Sequence, residues 1–151
     1  MNIPAGKKIA ENTYNLNEYI VKLIDEDYIK PEFGPVNLKV AYHIPCHLKA
    51  SGIGYPAASL FEKIPGLKYH VLDDYCCGLS GSYGFKRKNQ DTAIKLGRTA
   101  AAALKACEPD YIVSDCGACR MQLGHFAGLP VLDPSEIIMR SLTKPAKNTK
   151  K

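Results

Sequence analysis

The chain has 151 residues, 46% of them hydrophobic and 23% charged, a size and balance that suit one globular domain and exclude a disordered or fibrous chain. Its formal charge is +5, but Lys144, Lys147, Lys150 and Lys151 crowd the last nine residues, and without them 16 basic residues face 15 acidic ones. So nearly neutral a body lacks the footprint of phosphate-backbone binding, which excludes a nucleic-acid partner and leaves residues 143–151 as an expected basic, disordered tail.

Between Asn12 and Asp27, Leu16, Tyr19, Ile20, Leu23 and Ile24 recur at spacings of three and four, the period of an amphipathic helix. Pro31, Gly34 and Pro35 then break the pattern. Residues 1–36 are expected to form a helix and connector left over from an inter-domain linker. A β-prone run, Leu38 to Tyr42, opens residues 37–142, and a polar loop and a helix over Pro56 to Lys63 follow it. Lys68 to Leu72 reads as a second strand. A glycine-rich loop leads to a long alanine-rich helix over Gln90 to Ala106, and Tyr111 to Ser114 reads as a third strand. A short helix after Cys119 to about Phe126, a fourth strand over Pro130 to Leu132 and a last helix capped by Asp133 or Ser135 complete the pattern. Strands alternating with helices predict an α/β fold, a parallel sheet of about four strands with helices on both faces.

On that scaffold Cys46 follows the first strand, Cys76 and Cys77 the second, and Cys116 and Cys119 the third. All three loops leave the C-terminal edge of the sheet, where open parallel sheets form a binding crevice. No stretch approaches the ~20 apolar residues of a membrane span, and the start has no signal-peptide core. The expected compartment is therefore the reducing cytoplasm, where clustered thiols indicate metal or redox chemistry rather than disulfides. Glycines in each loop allow backbone amides to approach sulfur closely. Cys-x-x-Cys alone also fits zinc or a redox dithiol. The adjacent Cys76-Cys77 pair is awkward for a single tetrahedral zinc but suits a cluster with several irons; zinc stays as the alternative. Cys107, alone in an alanine-rich helix, reads as a packed thiol and not a ligand. His43 and His47 flank Cys46 as possible donors but stand outside the ligand set. Asp73, Asp74 and Asp115 read as caps of loop and helix amides. Lys86, Arg87 and Lys88 read as a solvated helix start that could also dock an acidic partner.

Cys46, Cys76-Cys77-Gly78 and Cys116-x-x-Cys119 resemble the cysteine-rich CCG domain found in the heterodisulfide reductase B component and related redox proteins. The segments His43-Ile44-Pro45-Cys46-His47, Ile64-Pro65-Gly66-Leu67, Val71-Leu72-Asp73, Cys76 to Lys86 and Asp115 to Cys119 are similar to the C-terminal domain of anaerobic glycerol-3-phosphate dehydrogenase C components. The resemblance implies that Cys46, Cys76, Cys77, Cys116 and Cys119 bind an iron–sulfur cluster of 4Fe-4S type, non-cubane in the heterodisulfide reductase relatives. It further implies an electron-transfer component working with flavin-containing dehydrogenase subunits and ferredoxin-type domains, in peripheral contact with the membrane and its quinone. A zinc-stabilised interaction module and a catalytic component of heterodisulfide-reductase type are the alternative readings. Full-length relatives carry ferredoxin-like cysteine runs upstream that this sequence lacks, so a fragment or one part of a split protein is expected.

Overall fold

The structure, a computed structural model, describes residues 4–142, and the basic tail lies outside them. Two helices come first, α1 over Pro4–Glu11 and α2 over Leu16–Asp25. Asn15 caps α2: its side chain accepts from the Asn17 main-chain N–H, while the Glu18 side chain returns to the Asn15 N–H at 2.9 Å. This reciprocal box explains why the helix begins at Leu16, the first residue of the apolar period.

Strands β1 (Lys39–His43), β2 (Lys68–Leu72), β3 (Tyr111–Val113) and β4 (Val131–Leu132) form one sheet, all parallel, in the order β2-β1-β3-β4. Tyr42 lies opposite Val71 on one side and Val113 on the other, so β1, β2 and β3 end nearly level. The chain leaves β1 toward β2 and then crosses back to β3. The order therefore reverses between β1 and β3, the position at which such sheets open a crevice at their carboxyl ends.

Alternate residues of β1 point to opposite faces. Val40 and Tyr42 join Leu60, Phe61, Ile137 and Ile138 in one buried cluster under α4 (Pro56–Phe61) and α7 (Pro134–Ser141). Ile20, Val21 and Ile24 of α2 pack onto the same cluster, while Leu16 and Tyr19 stay exposed. The apolar stripe of α2 is thus split, half docked on the core and half open. Ala41 and Ile112 join Ala100, Ala101 and Leu104 of α5 (Gln90–Ala106) and Leu123 and Ala127 of α6 (Gly117–Ala127) in the second cluster. Helices on both faces satisfy the expectation for a parallel sheet.

The element from Cys46 to Ser51 is a short helix, α3, closed by Gly52 at φ 71°, where the sequence pattern indicates a loop. Six residues are too few for a period to show. No helix among the described residues is long and apolar enough to cross a membrane.

Candidate metal centre

The three cysteine loops start from adjoining strand ends. Cys46 opens α3 three residues beyond β1, Cys76 and Cys77 follow β2, and Cys116 is the N-cap of α6 three residues beyond β3. Cys119 falls in the first turn of α6, within the part of the helix whose unpaired amides and dipole favour negative sulfur.

Cys77 and Cys119 are in contact, and Cys116 also acts on the Cys119 thiol. Cys119 donates to Cys77 with the sulfurs 3.2 Å apart, and their residues are 3% and 4% exposed, so the contact is dry. That hydrogen bond, supported by the main-chain N–H groups of Leu79 and Ser80, brings the Cys77 thiol down to about 6 against the opposing effect of burial. Giving the hydrogen bond, together with burial, pushes the Cys119 thiol up. Cys119 is thus the donor and Cys77 the acceptor, and a metal binding there would displace the proton between them. Cys76, half-buried, accepts from the Gly78 N–H at 3.3 Å. Cys116 is half-buried and Cys46 exposed, both at the open side. Among the described residues no three His, Cys, Asp or Glu side chains already surround a point where a metal ion could sit.

The Cys76–Gly84 loop is fixed by close approach to α5. Gly78 has φ 89°, and a Cβ there would lie 2.3 Å from the Ala93 carbonyl oxygen. Gly84 is equally confined, with a Cβ 2.7 Å from the Gly78 oxygen. Only glycine permits both the left-handed turn and the contact.

Buried polar side chains link the loops. Tyr42 donates to Asp115 Oδ2 at 2.5 Å and Asn17 Nδ2 donates to Asp115 Oδ1 at 2.9 Å, which pins the residue before Cys116 to β1 and α2. Tyr55 donates to Asp73 Oδ2 at 2.7 Å, and Lys49 to the Asp73 carbonyl. Asp73 and Asp115 therefore hold side chains from other elements, where the sequence indicates capping of amides. Arg120 bridges Asp133 and donates to the Ser114 carbonyl at 3.1 Å. His43 is the last residue of β1 and 1% exposed, not a loop residue. Its Nδ1 lies 3.2 Å from Ser114 Oγ, and its Nε2 is buried without a hydrogen-bond partner. Burial pushes its pKa down to about 4, against a weaker upward pull from the main chain at Tyr75, so the ring is neutral near pH 7. His47 is exposed on α3, and Cys107 ends α5 with its thiol on the Ala103 carbonyl, away from the loops. Tyr42, Asn17 and Ser114 are the supports that sequence reasoning does not find. No local spacing links Asn17 to Asp115.

The profile of the cysteine-rich CCG domain matches residues 40–124. The chain belongs to the CCG family. It is 33% identical over 137 residues to the C component of anaerobic glycerol-3-phosphate dehydrogenase of Escherichia coli K12, an alignment that covers 91% of this chain and 34% of that protein. It is 29% identical over 115 residues to the B component of the fumarate reductase (CoM/CoB) of Methanothermobacter marburgensis, covering 74% of this chain and 22% of the relative. It is also 29% identical over 124 residues to the D component of the dihydromethanophenazine:CoB–CoM heterodisulfide reductase of Methanosarcina barkeri, covering 78% and 30%. The chain thus spans about a third or less of the length of these relatives. The CCG match begins at Val40 in β1 and ends at Gly124 in α6, so it encloses all five loop cysteines.

The donor set suits an iron–sulfur group. The loops offer thiols and no carboxylate among the predicted ligands, main-chain amides already point at Cys76 and Cys77, and a helix N-terminus carries Cys116 and Cys119.

Proposed function

We propose that this CCG chain is an iron–sulfur electron-transfer module whose cluster is held by Cys46, Cys76, Cys77, Cys116 and Cys119. The observation that carries the reading is the dry contact between Cys77 and Cys119, which brings together thiols 42 residues apart from two different strand-end loops. Packing alone does not require two thiols there. A thiolate set aimed by backbone amides is the chemistry of iron and sulfide, and a bound cluster would supply one-electron redox steps. The chain's own residues would orient and shield it: Gly78 and Gly84 hold the second loop against α5, and Asp115 holds the third against β1 and α2.

The finer reading is a 4Fe-4S cluster, of the non-cubane kind, that relays electrons from a flavin-containing dehydrogenase toward membrane quinone, as in anaerobic glycerol-3-phosphate oxidation. The E. coli relative, named for that dehydrogenase and aligned over nine-tenths of this chain, supports the link to glycerol-3-phosphate oxidation. In this role the module sits beside dehydrogenase subunits and ferredoxin-type domains at the inner face of the cell membrane and performs no substrate chemistry of its own.

Anaerobic purification followed by iron, sulfide and zinc analysis tests the reading. It predicts about four irons with matching sulfide per chain and loss of the visible absorbance in Cys77→Ser and Cys119→Ser. Stoichiometric zinc with fewer than about two irons would replace the relay by a zinc-stabilised module that unfolds on chelation.

A further inference from the structure

A cleft of about 560 Å³ lies between α5, α6 and the loop after Cys77. Arg87, Arg98 and His125 bring cationic or protonatable groups to it, Phe85 and Phe126 bring rings, and none of the described residues that line it is acidic. The Arg98 guanidinium lies 5.6 Å from the centre of the Phe126 ring, and the His125 ring packs edge-on to Phe126 at 4.8 Å. Aromatic rings therefore help to hold the cations in place, with no carboxylate among the cleft's lining to neutralise them.

The surroundings repeat the pattern. Phe85 is 62% exposed, and Tyr83, two residues before it, is also exposed. Residues 83–98 contain five lysines and arginines, Lys86, Arg87, Lys88, Lys95 and Arg98, against the single acid Asp91. The other described segments and the first three residues together, through Leu142, carry 11 basic and 14 acidic residues. The positive charge of a nearly neutral body is thus concentrated in the segment that supplies Arg87, Arg98 and the exposed Phe85 to the cleft. Apolar anchors inside a charged rim are the composition of a protein-docking surface.

The cleft also backs onto a cysteine loop. A Cβ on Gly97 would lie 2.9 Å from Phe126, 2.9 Å from Gln122 and 3.0 Å from the Cys77 carbonyl oxygen. A single glycine separates the wall of the cleft from the main chain of Cys77.

We propose that the α5–α6 cleft is the docking socket for an acidic segment of the protein that exchanges electrons with this chain. The proposal rests on the electron-transfer reading above and names the kind of partner and its point of entry. A partner carboxylate would sit between Arg87 and Arg98, an apolar side chain would cover Phe85, and the electron would cross beside Cys77. Charge complementarity of this kind acts mainly on the association rate and falls with salt.

The test uses the full chain with its cluster, and a reduced acidic bacterial ferredoxin as electron donor in stopped-flow absorbance. The wild-type second-order rate constant should fall steeply between low and high sodium chloride. Arg87→Glu with Arg98→Glu should slow low-salt reduction by about tenfold or more and abolish the salt dependence. Arg87→Gln with Arg98→Gln, which keeps side-chain bulk, should lie between. Lys8→Glu with Lys63→Glu, exposed residues on other elements, should stay within about twofold of wild type. Iron, sulfide and dithionite reduction are measured on every variant. Absence of a cluster in the wild type would refute the electron-transfer reading itself. Intact, dithionite-reducible clusters with no ferredoxin reduction of the wild type, or with unchanged rates and salt dependence in the arginine variants, would overturn the docking proposal alone.

Discussion

The two faces of the sheet are built from different materials. Under α2, α4 and α7 the core uses large side chains, with Phe61 edge-on to both Tyr42 and Tyr69 at centroid separations of 5.6 and 5.7 Å. Under α5 and α6 the aliphatic residues Leu79, Leu104, Ile112 and Leu123 share the core with alanines, two cysteines and the glycines that let backbone touch backbone. Large interlocking side chains bury much apolar area and supply stability. Small residues bury less each, but they bring main-chain groups within reach of sulfur. One face is fitted to hold the fold and the other to hold a compact cofactor.

Breaking the first face should have the largest effect. Phe61→Ala removes a fully buried ring and should cost about 3–5 kcal/mol in urea unfolding. Its cluster content, measured in the folded fraction, should change little. Gly78→Ala should do the reverse. Its left-handed backbone and the Ala93 oxygen in its path predict a stability cost of about 1–3 kcal/mol, with loss of most bound iron. Retention of full iron in Gly78→Ala would show that the small-residue face does not set the site. Tyr42→Phe sharpens the comparison most finely, because the ring belongs to the first face and the hydroxyl reaches the loop of the second. Losing one hydrogen bond to the Asp115 carboxylate should cost about 1.5 kcal/mol and speed hydrogen exchange around Cys116 while leaving it slow in α4.

What could be read from the sequence follows the same division. The alanine-rich helix α5 is legible to the residue, Gln90 to Ala106, and the strands to within one residue, because β-branched runs and helical periods are local signals. The placement of the three cysteine loops is legible because parallel strands send their loops to one edge. Helix α3 is not, since Cys46-His-Leu-Lys-Ala-Ser is too short to show a period, although Gly52 just beyond it is the C-cap signal in plain view. His43 lies just beyond the β-prone run Leu38 to Tyr42, but β1 runs one residue further, and that extra residue carries the ring into the interior. The supports of Asp115 come from 73 and 98 residues away, and no window along the chain contains such pairs.

The uneven exposure of the cysteines has a consequence of its own. Cys77 and Cys119 are sealed from solvent, while Cys46 stands in it. A charged group held between them would meet a weakly polarisable wall on one side and water on the other, so its charge would be better solvated at the wet rim. Changes in the water around Cys46 would then be felt by such a group more than equal changes deep in the α5–α6 face. The chain would sense what covers it through the dielectric at a single cysteine.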